Sequence, residues 1–246
     1  TVIPPNPDPL PENHFFEIQA AINAASNGDT VLVSAGTYTE NIIYNGKNIV
    51  VKSASGPAST VLKPSNSSIP VVRFMNGETT SAYLVGFTIK DGGAERGSGI
   101  RIVASSPIIE NCIIRNCYGE GALSIAHSSG EVRNCLFTGN ARGIFFDVND
   151  QSTATKVINC TVAYNTEYGI VSSATNGIPE VINSVLFTDQ GDDISGALTV
   201  TYSLVGGGVD GTGNIKADPL FVDEENGDFR LSEYSPAIGA GTSTGV

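Results

Sequence analysis

Apolar and polar positions alternate over very short stretches along most of this chain, and Gly, Asn, Ser or Pro closes almost every stretch. A period of two with β-branched enrichment marks half-buried strands. It predicts strands over Thr30–Val33, Asn41–Tyr44, Asn48–Lys52, Thr60–Leu62, Val71–Met75 and Leu84–Ile89. One segment departs from it. Phe16, Ile18, Ala21, Ile22 and Ala25 follow helical spacing, so Asn13–Ala25 reads as an amphipathic helix stopped by Asn27-Gly28-Asp29.

Strands this short cannot stand alone, which makes an internal repeat the natural next expectation. Ile109-Glu-Asn-Cys112, Val132-Arg-Asn-Cys135, Val157-Ile-Asn-Cys160 and Val181-Ile-Asn-Ser184 align without gaps, placing Asn111, Asn134, Asn159 and Asn183 at separations of 23, 25 and 24 residues. Gly86 stands in the same place 25 residues before Asn111. Between these segments lies a second recurrent one: Gly99-Ile-Arg-Ile102, Gly121-Ala-Leu-Ser-Ile125, Gly143-Ile-Phe-Phe146 and Gly169-Ile-Val-Ser172. Each repeat therefore carries several strands, and stacking one repeat on the next would complete every ladder and bury one side of each strand. Alternation sends Ile100, Ile102, Leu123, Ile125, Ile144 and Phe146 inward, and Arg101, Ser124 and Phe145 outward. A sharp corner needs φ > 0, which Gly adopts freely and Asn better than most, and stacked Asn amides can also hydrogen-bond along the axis.

On these residues the chain resembles the pectate-lyase-like right-handed parallel β-helix superfamily, whose three-faced coils carry an asparagine ladder matching Asn111, Asn134, Asn159 and Asn183. The resemblance implies an all-β fold, a right-handed single-stranded parallel β-helix. Ile18–Ile22, Gly28–Val33 and Gly36–Asn41 are similar to the start of many such proteins, where a helix plugs the open end. Ala217–Phe221, Asp228–Leu231 and Ser235–Gly241 resemble the C-terminal segment of bacterial secreted β-helix proteins of the anchored, cell-surface type. One domain is expected, with a Pro-rich lead (1–12), a capping helix (13–29), coils (30–205) and a C-terminal cap segment (206–246).

Composition narrows the partners. The 246 residues, 40% hydrophobic, suffice for one elongated core. Thirteen Lys and Arg against 25 Asp and Glu give a net charge of −12, which argues against nucleic acid and anionic membranes. No apolar stretch reaches the roughly 20 residues a membrane span requires. The acidic balance together with the fold resemblance implies a secreted or cell-surface monomer. Cys112, Cys135 and Cys160 follow the ladder asparagines, with Ser184 next in line, and read as inward packing; a Cys112–Cys117 or adjacent-coil bridge stays open.

Enzymes of the resembled fold lay a substrate, usually an acidic polysaccharide, along the outward face of one sheet. A lyase acting on uronic acids must neutralise the carboxylate, abstract a proton and protonate the leaving oxygen. Arg101, His127 and Asp147 are the candidate catalytic groups. Arg73, Lys90 and Arg96 extend the basic set, the alternative being a solvated face paired with Asp91 and Glu95. Phe145, Tyr118 and Tyr168 could stack on sugar rings or simply pack across coils. Asp147, Asn149 and Asp150 offer oxygens on one loop for a calcium ion, the candidate cofactor, or form an ordinary charged loop. The catalytic motifs of polygalacturonases, mannuronan epimerases and pectin methylesterases are absent. Two functions remain open: a lyase-like protein acting on or binding an acidic polysaccharide, and a non-catalytic cell-surface glycan-binding or stalk module.

Overall fold

The structure, a computed structural model, describes residues 1–2, 14–147, 154–188 and 191–244. Strands of two to five residues wind into a parallel β-solenoid with three sheets of eight, eight and seven strands. The first sheet runs from Thr30–Val33 to Thr199–Thr201, the second from Gly36–Thr39 to Leu204–Val205, and the third from Ile42–Ile43 to Asp192–Gly196. Each strand pairs in register with its equivalents one coil before and one coil after, so side chains of one type stack in columns. Leu84, Ile109, Val132, Val157 and Val181 form such a column in the first sheet. Ile89, Ile114, Phe137, Val162 and Leu186 form one in the second, and Ile100, Leu123, Ile144 and Ile170 one in the third. All are buried. Each such side chain contributes about 1.5–3 kcal/mol by leaving water.

Two expectations about elements need correction. Leu84–Ile89 is two strands, Tyr83–Val85 and Thr88–Lys90, because Gly86 at φ 79° turns the chain from the first sheet into the second. Gly86, in the place of the ladder asparagines, marked that corner, but the β-branched run on both sides of it reads as one strand. The helix spans Ile18–Ala24 rather than Asn13–Ala25, with Phe15 bridged to Val2 ahead of it. The coil body defines its ends. The Glu40 carboxylate accepts the backbone N–H groups of Ile18 and Gln19, each at 2.9 Å. Lys47 Nζ donates to the carbonyls of Ile22, Asn23 and Ala25 at 2.7–2.8 Å. An anion at the N-terminus and a cation at the C-terminus complement the helix dipole.

The corner between the first and second sheets holds Asn111, Asn134, Asn159 and Asn183 at φ 52–54°, as their spacing implied. Their amides do not form the stacked ladder: Asn111, Asn134 and Asn159 face solvent, and Asn183 bonds Thr242 of the C-terminal segment. The amide ladder lies at the next corner, where Asn140 and Asn165 are fully buried. Asn140 Oδ1 accepts Cys117 N–H at 2.9 Å, Asn140 Nδ2 donates to the Ile114 carbonyl at 3.0 Å and to Asn165 Oδ1 at 2.9 Å, and Asn165 Nδ2 donates to the Phe137 carbonyl at 3.1 Å.

All four cysteines are free and buried. Cys112, Cys135, Cys160, Ser184 and Ser203 form an internal column in which each side chain donates to the carbonyl two residues earlier. The Cys112 N–H bonds Cys135 Sγ, the Cys160 N–H bonds Ser184 Oγ, and the Ser184 N–H bonds Ser203 Oγ. Serine replaces cysteine without changing the pattern. Burial pushes the Cys135 thiol well above its ordinary range and Cys117 up to about 11, so both are neutral packing groups rather than nucleophiles or ligands.

At the C-terminal end, Ile215 bridges Leu204 as part of one further turn over the last coil. The chain then forms an antiparallel hairpin, Phe221–Asp223 with Asp228–Leu231. Phe221 packs with Ala163, Val185 and Leu204 on the outward side of the second sheet. The C-terminal segment therefore covers a flank as well as an end.

Candidate functional site

The third sheet presents one outward column, Arg73, Arg101, Ser124, Phe145, Val171 and Ser195, in continuous register. Its middle is closed. Arg101 is only 8% exposed and Ser124 fully buried, because the loop through Gly97 folds over them: a Cβ at Gly97 would stand 3.0 Å from both Arg101 Cδ and Ser124 Cβ. Arg101 donates from Nη1 to Ser124 Oγ and sets Nη2 3.5 Å from Asp147 Oδ2. Arg101 and Asp147, two coils apart, thus meet.

The remaining candidates scatter. His127 is exposed at a left-handed corner (φ 50°), stacked after Ala104 (φ 48°), rather than on the sheet face. Arg73 lies beside Arg101 in register, half-buried, with its Nε buried and without a hydrogen-bond partner. Lys90 belongs to the second sheet and pairs with Asp91 at 3.2 Å, while Arg96, in the connecting loop, stands 3.8 Å from Glu120. The basic set therefore divides between two faces. Phe145 is half-buried within the third-sheet column, and Tyr118 is 61% exposed beyond the next corner. Asn149 and Asp150 lie outside the described residues. Among the described residues, no three His, Cys, Asp or Glu side chains gather as a cation site.

Tyr168 fares differently. It begins its third-sheet strand directly between Arg142 and Asp192 of the neighbouring coils. The Arg142 guanidinium lies 5.6 Å from the centre of the Tyr168 ring and its Nε donates to Glu167 Oε2 at 2.8 Å. With Thr166, Gly191 and Asp192 these residues line an open, shallow depression of about 570 Å³. The sequence reading missed Arg142, Glu167 and Asp192. The signal was available, since Arg142 and Tyr168 occupy equivalent places just before Gly143 and Gly169 of the repeat.

Residues 12–203 match a family model described as a right-handed β-helix region. The chain belongs to that right-handed β-helix family. No curated protein sequence matches it. Among solved structures, a pectin methylesterase from carrot superposes with a TM-score of 0.53 at 14% identity, over 76% of this chain and 64% of that one. A pectin methylesterase from Aspergillus niger gives 0.46 at 13% identity, over 81% and 79%. The chain thus spans less than two thirds of the carrot enzyme, and the likeness at this identity is one of fold. Architecture and superfamily accord with the sequence reading, and among the described residues no helix is long and apolar enough to cross a membrane.

Proposed function

We propose that this β-helix is a carbohydrate-directed module that binds a polysaccharide at the third-sheet ledge without cleaving it. The observation that carries the reading is Tyr168, its ring fixed by a guanidinium 5.6 Å away and bordered by Glu167 and Asp192. An aromatic face suits the C–H face of a pyranose, and carboxylates accept hydrogen bonds from hydroxyls. With one guanidinium against two carboxylates, the ledge favours hydroxyl recognition over recognition of an acidic sugar. The solved pectin methylesterases of similar fold act, by their name, on a polysaccharide. A polysaccharide partner would place the protein outside the cell, where such polymers are met.

Lyase-like catalysis is the weaker reading. Its essential arginine would be Arg101, and that guanidinium is enclosed and held by Ser124 and Asp147. Asp147 serves Arg101 and is poorly suited to a divalent cation on the same oxygen. Binding should survive a chelator. The deciding experiment incubates the protein with neutral and uronate-rich polysaccharides, following retention and unsaturated products together. Retention of a neutral glycan without product supports the proposal, and a rise in unsaturated-product absorbance overturns it in favour of the lyase.

A further inference from the structure

The ledge lies on the third sheet and the C-terminal hairpin covers the second, which leaves the outward face of the first. Two outward columns run in register along its first five strands. Thr30, Val50, Tyr83, Ile108 and Glu131 form one, and Leu32, Lys52, Val85, Glu110 and Arg133 the other. Leu32 is 37% exposed, and Val50, Tyr83 and Val85 are half-exposed beside it. Single exposed apolar residues need no partner, but a contiguous group on a sheet face marks a contact surface. The charges around this patch do not balance locally. Lys52 is exposed and makes no ion pair among the described residues. Glu110 and Glu131 share one cation, Arg133, at 3.2 and 3.4 Å, so that group carries one negative charge in excess. The next cation along, Lys156, pairs with Glu180. Lys52 and Glu110 stand one coil to either side of Val85, about 10 Å apart along the axis.

We infer that this face is a self-association surface, on which a second copy of the chain packs with its solenoid axis reversed. The two-fold axis runs parallel to the strands through the coil of Tyr83 and Val85. Such a rotation sets each column against itself and exchanges the coils on either side of the axis. Lys52 of each copy then meets Glu110 of the other, and Val50 meets Ile108. Tyr83 and Val85 meet their own counterparts, and Leu32 lies over the aliphatic stem of Arg133. Charge fixes the register as well as the partner: a shift of one coil either way sets Lys52 or Glu110 against itself. The patch spans roughly 25 by 10 Å, well below the ~800 Å² per partner of a standard interface, so the association is weak and concentration-dependent.

The test is sedimentation equilibrium of the whole protein over a concentration series. A dimer and nothing larger is expected, half-formed at roughly 0.1–1 mM. Lys52→Glu and Glu110→Lys should each weaken it by about tenfold or more, because each sets like charges together twice per dimer. Mixed one to one, the two variants should associate as tightly as the native protein, since both contacts again join opposite charges. Lys216→Glu, at an exposed lysine elsewhere, matches the net charge of Lys52→Glu and should leave association unchanged. Should Glu110→Lys melt early through loss of its Arg133 pair, Val85→Lys replaces it. That variant brings two ammonium groups together on the axis and should weaken association although it lowers the net negative charge. A monomer at every concentration, or open-ended assemblies, would overturn the inference. So would equal losses from Lys52→Glu and Lys216→Glu, no recovery in the mixture of folded variants, or no loss from Val85→Lys.

Discussion

Two corners of the same coil use asparagine in opposite ways. At the corner between the first and second sheets, Asn111, Asn134 and Asn159 supply only a left-handed backbone and leave their amides in water. At the following corner, Asn140 and Asn165 are buried, and their amides satisfy backbone groups of neighbouring coils. Gly86 can replace the first kind because only φ matters there. The second kind needs a donor and an acceptor at once, which the two ends of one side-chain amide supply and glycine cannot. A conspicuous repeat can thus be energetically cheap, while a short and irregular one secures the core.

That contrast can be broken by mutation. Asn140→Ala strands the Cys117 N–H and the Ile114 carbonyl in a dry interior and should cost about 2–3 kcal/mol in denaturant unfolding. Asn134→Ala places a methyl at φ 54° and should cost only about 1 kcal/mol. Asn134→Gly should lie within about 0.5 kcal/mol of the native protein. A larger loss at Asn134 than at Asn140 would invert the assignment.

The buried thiols sharpen the same point, since they too lie inside the coils. Burial raises the Cys117 pKa from 9.0 to about 11, so the folded state prefers the neutral thiol. The resulting stability is present in full below pH 9.0 and is lost as pH rises through about 11. Cys117 and Cys135, both shifted up by burial, should therefore resist a thiol reagent at pH 8 in the native protein and react after unfolding. Rapid labelling of the native protein would contradict the closed column.

The parts legible in the sequence were those set by spacing alone: the coil period, the inward columns, the outward line through Arg101, Ser124 and Phe145, and the left-handed asparagines. Hidden were the parts set by neighbours distant in sequence. Glu40 and Lys47, which delimit the helix, lie beyond its end, and no local pattern connects them to it. Asn140 and Asn165 stand outside the aligned repeat segments, and burial at a corner leaves no alternation to detect. Among the site candidates, Arg101 and Asp147 did converge, but the Gly97 loop that encloses them cannot be inferred from strand periodicity. Lys90 is expected with Arg101 on consecutive coils or their adjacent loops, whereas the intervening corner places them on different sheets. Tyr168 lies between Arg142 of the coil before and Asp192 of the coil after, neighbours that the repeat spacing places beside it.

Glycan binding on this proposal depends on the supported Tyr168 rather than on exposed aromatic surface in general. Titration of a retained neutral oligosaccharide into native protein, Tyr168→Ala and Tyr118→Ala tests it directly, since Tyr118 is the more exposed ring at 61% and lies off the ledge. The prediction is an affinity loss of about tenfold for Tyr168→Ala, little change for Tyr118→Ala, and an oligosaccharide of unchanged length throughout. Equal losses in the two variants, or a shortened oligosaccharide, would contradict it.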